Sequence, residues 1–166
     1  MNNQQELKGL GGWLIVMGIG VILSPIVLLY EGFSLLEFFK QDGVSQLNNP
    51  ASDIYYPALL WFILGECVVN LVLLLLSLYA AYLFFSKHYR FPKFYIGLMI
   101  GYLLVLFADC VISELLIPQE SAFDSETITE LAKSALRCVI WVPYLLMSVR
   151  VKNTFIEHRK MYQDAK

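Results

Sequence analysis

Val68-Val69-Asn70-Leu71-Val72-Leu73-Leu74-Leu75-Leu76-Ser77-Leu78 is the stretch that decides the fold class. Asn70 and Ser77 are its polar residues. A helix on the surface of a soluble domain keeps one apolar stripe and one polar face. This run is apolar on every face, so the solvent it expects is lipid. Working outward, the apolar segment extends from Ala58 to Phe85, interrupted by Glu66 and Asn70.

Three further segments have the same character. Leu10–Leu29 carries no charge, Phe94–Ile117 holds Asp109 and Glu114, and Leu131–Val149 holds Lys133 and Arg137 in its first half. At 1.5 Å of rise per residue such segments reach the ~30 Å thickness of a hydrocarbon core. Composition agrees: 58% of residues are apolar and 16% charged, against about 45–50% and 25% in soluble domains. The sequence predicts an all-α, integral membrane four-helix bundle as a single domain over 1–166, with spans at about 10–29, 58–85, 94–117 and 131–149 and a basic tail at 150–166. The apolar run from Leu10 is long for a signal-peptide core, and no small-x-small cleavage site follows it. It reads as a retained first helix.

The helix ends have local causes. Pro57 suits a first helical turn, Pro118 closes the third span, and Thr127-Ile-Thr-Glu130 has the pattern of a capping box. Pro143 falls inside the fourth span and should kink it. Tyr79, Tyr82, Phe84, Phe85, Phe94 and Tyr95 read as an aromatic belt at the interface. Phe33, Leu35, Leu36, Phe38 and Phe39, between Glu31 and Lys40, read in two ways. They form a short interfacial helix on the outer leaflet, or they continue the first helix past Pro25.

Charge is segregated although the net charge is −2. Lys8, the loop with Lys87, Arg90 and Lys93, and the tail with Arg150, Lys152, Arg159, Lys160 and Lys166 lie on one side. The opposite loops hold Lys40 and, at the membrane edge, Lys133, together with Glu31, Glu37, Asp42, Asp53, Glu120, Asp124, Glu126 and Glu130. Lysine and arginine concentrate on cytoplasmic flanks, which predicts both termini in the cytoplasm. The small net charge gives no global field for nucleic acid.

The sharpest functional signal is charge within the spans. Glu66, Asp109 and Arg137 each fall some distance in from the outer end of their helix, at similar depth. An unpaired charge there costs about 3 kcal/mol or more. Arg137 is expected to bridge Glu66 and Asp109, with Asn70 one turn below Glu66 as part of the same polar cluster. Lys133, Arg137, Trp141, Tyr144 and Ser148 share one stripe of the fourth helix by spacing. The cluster is either an ionic staple that sets helix register, a proton- or ion-coupling site, or a contact with another subunit.

Other chemistry is thinly supported. The three cysteines, Cys67, Cys110 and Cys138, have no paired spacing for a disulfide framework. Each follows a charged residue, but adjacent helical residues point about 100° apart, so no metal site is expected. His88 and His158 read as solvated. There is no phosphate-binding loop, HExxH, GxSxG or dinucleotide fingerprint, so neither an enzyme nor a cofactor is expected. Gly97 and Gly101 form a small-xxx-small pattern that permits close helix approach, within the chain or to another copy or another membrane protein.

Two motifs carry a family resemblance. Gly11-Gly12-Trp13-Leu14, running into Gly20 and Ser24-Pro25, and Ile140-Trp141-Val142-Pro143-Tyr144 followed by Ser148-Val149-Arg150-Val151-Lys152-Asn153-Thr154-Phe155 resemble the two ends of a bacterial inner-membrane family called domain of unknown function 2569. The resemblance covers almost the whole chain. It singles out Trp13, Trp141, Pro143, Tyr144, Ser148, Arg150, Thr154 and Phe155. It implies a four-helix protein of the bacterial inner membrane and no particular activity. Arg150 and Lys152 are expected at the inner headgroups, with Phe155 folded back onto lipid. The functional expectation is a non-enzymatic accessory or assembly component in the bilayer; the alternative is a small transporter or channel using Glu66, Asp109 and Arg137.

Overall fold

The computed structural model describes residues 9–40, 45, 49–51, 57–116 and 123–155. Lys8, Asp42, Asp53, Pro118, Glu120 and the tail beyond Phe155 lie outside the described residues. The architecture is all-α. Its helices are α1 (Trp13–Lys40), α2 (Pro57–Phe85), α3 (Phe91–Leu116), α4 (Ser125–Met147) and the short α5 (Val149–Thr154). Among the described residues three stretches are long and apolar enough to cross a membrane: Trp13–Glu37, Ala58–Phe85 and Phe91–Leu116. Their apolar side chains face outward; Val68 and Leu75 on α2, for example, expose more than half their surface.

The helix bounds differ from those expected, and each difference has a cause. The first helix does not stop near Leu29 but continues through Phe33 to Lys40. Hydropathy marks where lipid should end, while the helical backbone continues as long as its residues tolerate it, and neither Pro25 nor Gly32 breaks this helix. The interfacial stretch is thus the continuation of α1. The cap of α4 is not Thr127 but Asp124, whose carboxylate accepts from the Thr127 amide at 2.7 Å. Asp124 and Thr127 hold the N-cap and N3 places, so the helix starts earlier than its apolar part. At its other end α4 breaks at Ser148, which has an extended ψ of 124°. The Ser148 hydroxyl then caps α5 by accepting from the Val151 amide at 3.4 Å.

The chain divides into two compact units, Leu23–Leu78 and the pair of segments Met1–Ile22 with Tyr79–Lys166. In the second of these, Leu14, Met17 and Val21 put a stripe at helical spacing onto a core completed by Leu83, Phe84, Phe91, Leu145, Val151 and Phe155. Gly18 lets the Phe84 ring in: a Cβ there would lie 3.0 Å from the ring. Phe84 meets Phe91 at 5.0 Å and Phe155 at 5.9 Å between centroids. Phe84 is therefore core, not belt; Tyr82 and Phe85 remain exposed.

The α2–α3 turn is a Schellman closure. His88 donates its amide to the Leu83 carbonyl at 2.9 Å and Lys87 to that of Phe84 at 3.1 Å, with Lys87 at φ 50°. In the other unit the second half of α1 and the first part of α2 face each other. Pro25 and Leu28 are buried there.

Candidate functional site

The residues carrying the two motifs meet in one place. Gly9 donates its amide to the Thr154 hydroxyl at 3.0 Å, and that hydroxyl is also 3.3 Å from the Gly9 carbonyl, to which it donates. Thr154 is fully buried, so this reciprocal pair satisfies polar groups that would otherwise be costly. The Arg150 guanidinium occupies the space that a Cβ on Gly11 would take. Gly12 turns the chain into α1 with φ +57°. Trp13 meets Trp141 edge-on at 6.3 Å, and Trp141 meets Tyr144 at 5.7 Å.

The helical turn of α5 explains the rest of the closing motif. Its residues Val151, Thr154 and, just beyond it, Phe155 fall on one face at spacings of three and four, and all three are buried. Phe155 stacks on Phe91 at 4.8 Å. The expectation that Phe155 folds onto lipid is corrected: once Ser148 breaks α4, the chain returns and seats this ring in the protein core. Lys152 is exposed on the opposite side, and Pro143 is exposed within α4.

The residues of the expected polar cluster are distributed differently. Glu66 and Asn70 belong to the Leu23–Leu78 unit, and Asp109 and Arg137 to the other. Glu66, Asn70 and Asp109 are half-buried, while Arg137 and Lys133 lie on the exposed side of α4. The more buried positions of α4 run through Leu131, Ser134, Cys138, Trp141 and Leu145, and of the expected stripe Trp141, Tyr144 and Ser148 are half-buried. A long arginine or lysine stem can carry its charge along the helix toward an interface. Among the described residues there is no group of three His, Cys, Asp or Glu placed to hold a metal.

The Leu23–Leu78 unit contains a groove of ≈ 250 Å³ between α1 and α2. Its walls are almost entirely apolar, with Leu28, Phe33 and Leu36 from α1 and Leu71 and Leu74 from α2. Asn70 is the polar side chain in it, and Gly32 faces it: a Cβ on Gly32 would come within 3.1 Å of the Asn70 Oδ1. Sequence reading assigned Asn70 to a polar cluster with Glu66, Asp109 and Arg137, and gave no role to Gly32 or Gly9. A glycine inside an apolar helix is a signal of close approach, yet it does not say to what. The Gly9–Thr154 pair joins positions 145 residues apart, which no local pattern reveals.

Long helices clothed in apolar side chains define an all-helical protein of membrane type. The chain belongs to the family described as Protein of unknown function (DUF2569), which it matches over residues 7–156. No curated protein and no solved structure matches it.

Proposed function

We propose that this protein is a non-enzymatic component of the bacterial inner membrane, an accessory or assembly scaffold for a larger membrane complex. In this reading it spans the bilayer four times with both termini in the cytoplasm. The observation that carries it is where the motif residues go. Trp13, Trp141, Tyr144, Ser148, Arg150, Thr154 and Phe155 take part in closing the fold, and the groove in the other unit has apolar walls. A fourth span is supported by the apolar half of α4, where Val139, Ile140, Leu146 and Met147 are exposed. The positions of Lys87, Arg90, Lys93, Arg150 and Lys152 support cytoplasmic termini.

The test has two arms. Purification of the full-length protein in mild detergent should bring down a stoichiometric membrane partner. Liposomes containing the protein should show no proton or ion flux above empty liposomes. A flux abolished by Glu66→Gln or Asp109→Asn would sink the scaffold reading and establish a transporter.

A further inference from the structure

Asn70 stands 13 residues after Pro57 and 15 before Phe85 in α2, about 20 Å along the helix from either end. Resting on the reading that α2 spans the bilayer, this is the depth of the hydrocarbon midplane. Among the described residues no hydrogen bond reaches the Asn70 carboxamide, which lines the apolar groove opposite Gly32. An amide left unpaired in hydrocarbon is strongly disfavoured, because nothing around it replaces the hydrogen bonds it makes in water. Lipid acyl chains can fill the groove but offer the amide neither donor nor acceptor.

We propose that the groove is the interface with a second copy of this chain, and that the two Asn70 carboxamides pair across it. The carboxamide is self-complementary, because its N–H donates and its oxygen accepts, so two copies can form two reciprocal hydrogen bonds. A two-fold axis along the membrane normal puts the same residue of both copies at the same depth. Leu29, Phe33, Leu36 and Leu71, which line the groove, keep large exposed areas, so two copies can bring like apolar faces together around the amide pair. The groove has no charge on its walls, so nothing there favours a charged partner. A polar side chain within an apolar interface is a known driver of helix association in lipid.

The experiment uses the full-length protein in phosphatidylcholine–phosphatidylglycerol vesicles, with donor and acceptor dyes on the N-terminal amine of separate batches. Energy transfer should rise with protein-to-lipid ratio as a dimerisation isotherm. Asn70→Leu should weaken dimerisation about threefold to thirtyfold. Asn70→Gln, which keeps a self-complementary carboxamide, should stay near the parent. A second measurement leaves Asn70 intact: with Cys67, Cys110 and Cys138 changed to alanine, mild oxidation of Leu71→Cys should give a covalent dimer. Leu104→Cys, exposed on α3, should not. A parent monomeric at every density, an Asn70→Leu variant that associates as tightly as the parent, or equal cross-linking at the two positions overturns the proposal. A parent that fails to float with the vesicles overturns the membrane reading, and this proposal with it.

Discussion

Gly12 holds φ at +57°, and nothing lies within 4 Å of the place a Cβ would take. The need for glycine there is thus conformational and not steric. An L side chain in the left-handed region costs about 1–2 kcal/mol, less for asparagine. Gly12→Ala should lower the melting temperature in detergent and Gly12→Asn should lower it less; equal melting of all three would show that the turn does not limit stability. Gly11 is the contrasting case. A methyl group there meets the far end of the Arg150 side chain, which can swing aside.

At the start of α4, the Thr127 amide beside Asp124 holds its carboxyl below the usual aspartate range. A depressed value in the folded state means the cap stabilises the helix above the ordinary value of about 3.9 and is lost as pH falls through the depressed one. Helical circular dichroism between pH 6 and pH 2 should show a loss that Asp124→Asn, an uncharged cap, removes. An unchanged acid profile in that variant would assign the loss to other carboxylates.

Elements show which parts of the chain complete the fold. α5 has 6 residues, too few to be stable as an isolated helix, and it persists because Val151, Thr154 and Phe155 enter the core. A chain ending at Phe155 should therefore reach the membrane fraction and melt like the parent. A chain ending at Ser148 removes three buried side chains and the partner of Gly9, and should be scarce or unfolded. If both truncations behave like the parent, α5 is an appendage. The continuation of α1 to Lys40 is the complementary lesson: a helix carries on through Pro25 and past its apolar part while no breaker intervenes.

At the scale of the molecule the arrangement of charge makes the remaining prediction. Basic residues flank the α2–α3 turn and α5, whereas Asp124, Glu126 and Glu130 stand at the start of α4. A membrane-impermeant thiol reagent applied to intact cells should label a cysteine placed at Ser121 and spare one placed at His88. The reverse pattern inverts the proposed topology, and labelling of both sites shows that the two loops share a side.

Much of this was present in the residues alone. Unbroken apolar runs such as Val68–Leu78 determine helices made for lipid, because a helix apolar on every face needs either lipid or the centre of a large core around it, and a chain of 166 residues that is 58% apolar has too little polar cover for such a core. The two motifs identified the family because their residues are unusual where they stand. Tertiary structure decided the rest. It made Phe155 core by seating it on Phe91, and it turned Phe84 from interface to interior. It paired Gly9 with Thr154 and set Gly32 against Asn70. In lipid, apolar patterning no longer distinguishes inside from outside, since both are hydrocarbon-like. Which face packs is then settled by small residues, ring shapes and a few hydrogen bonds between segments far apart in the chain.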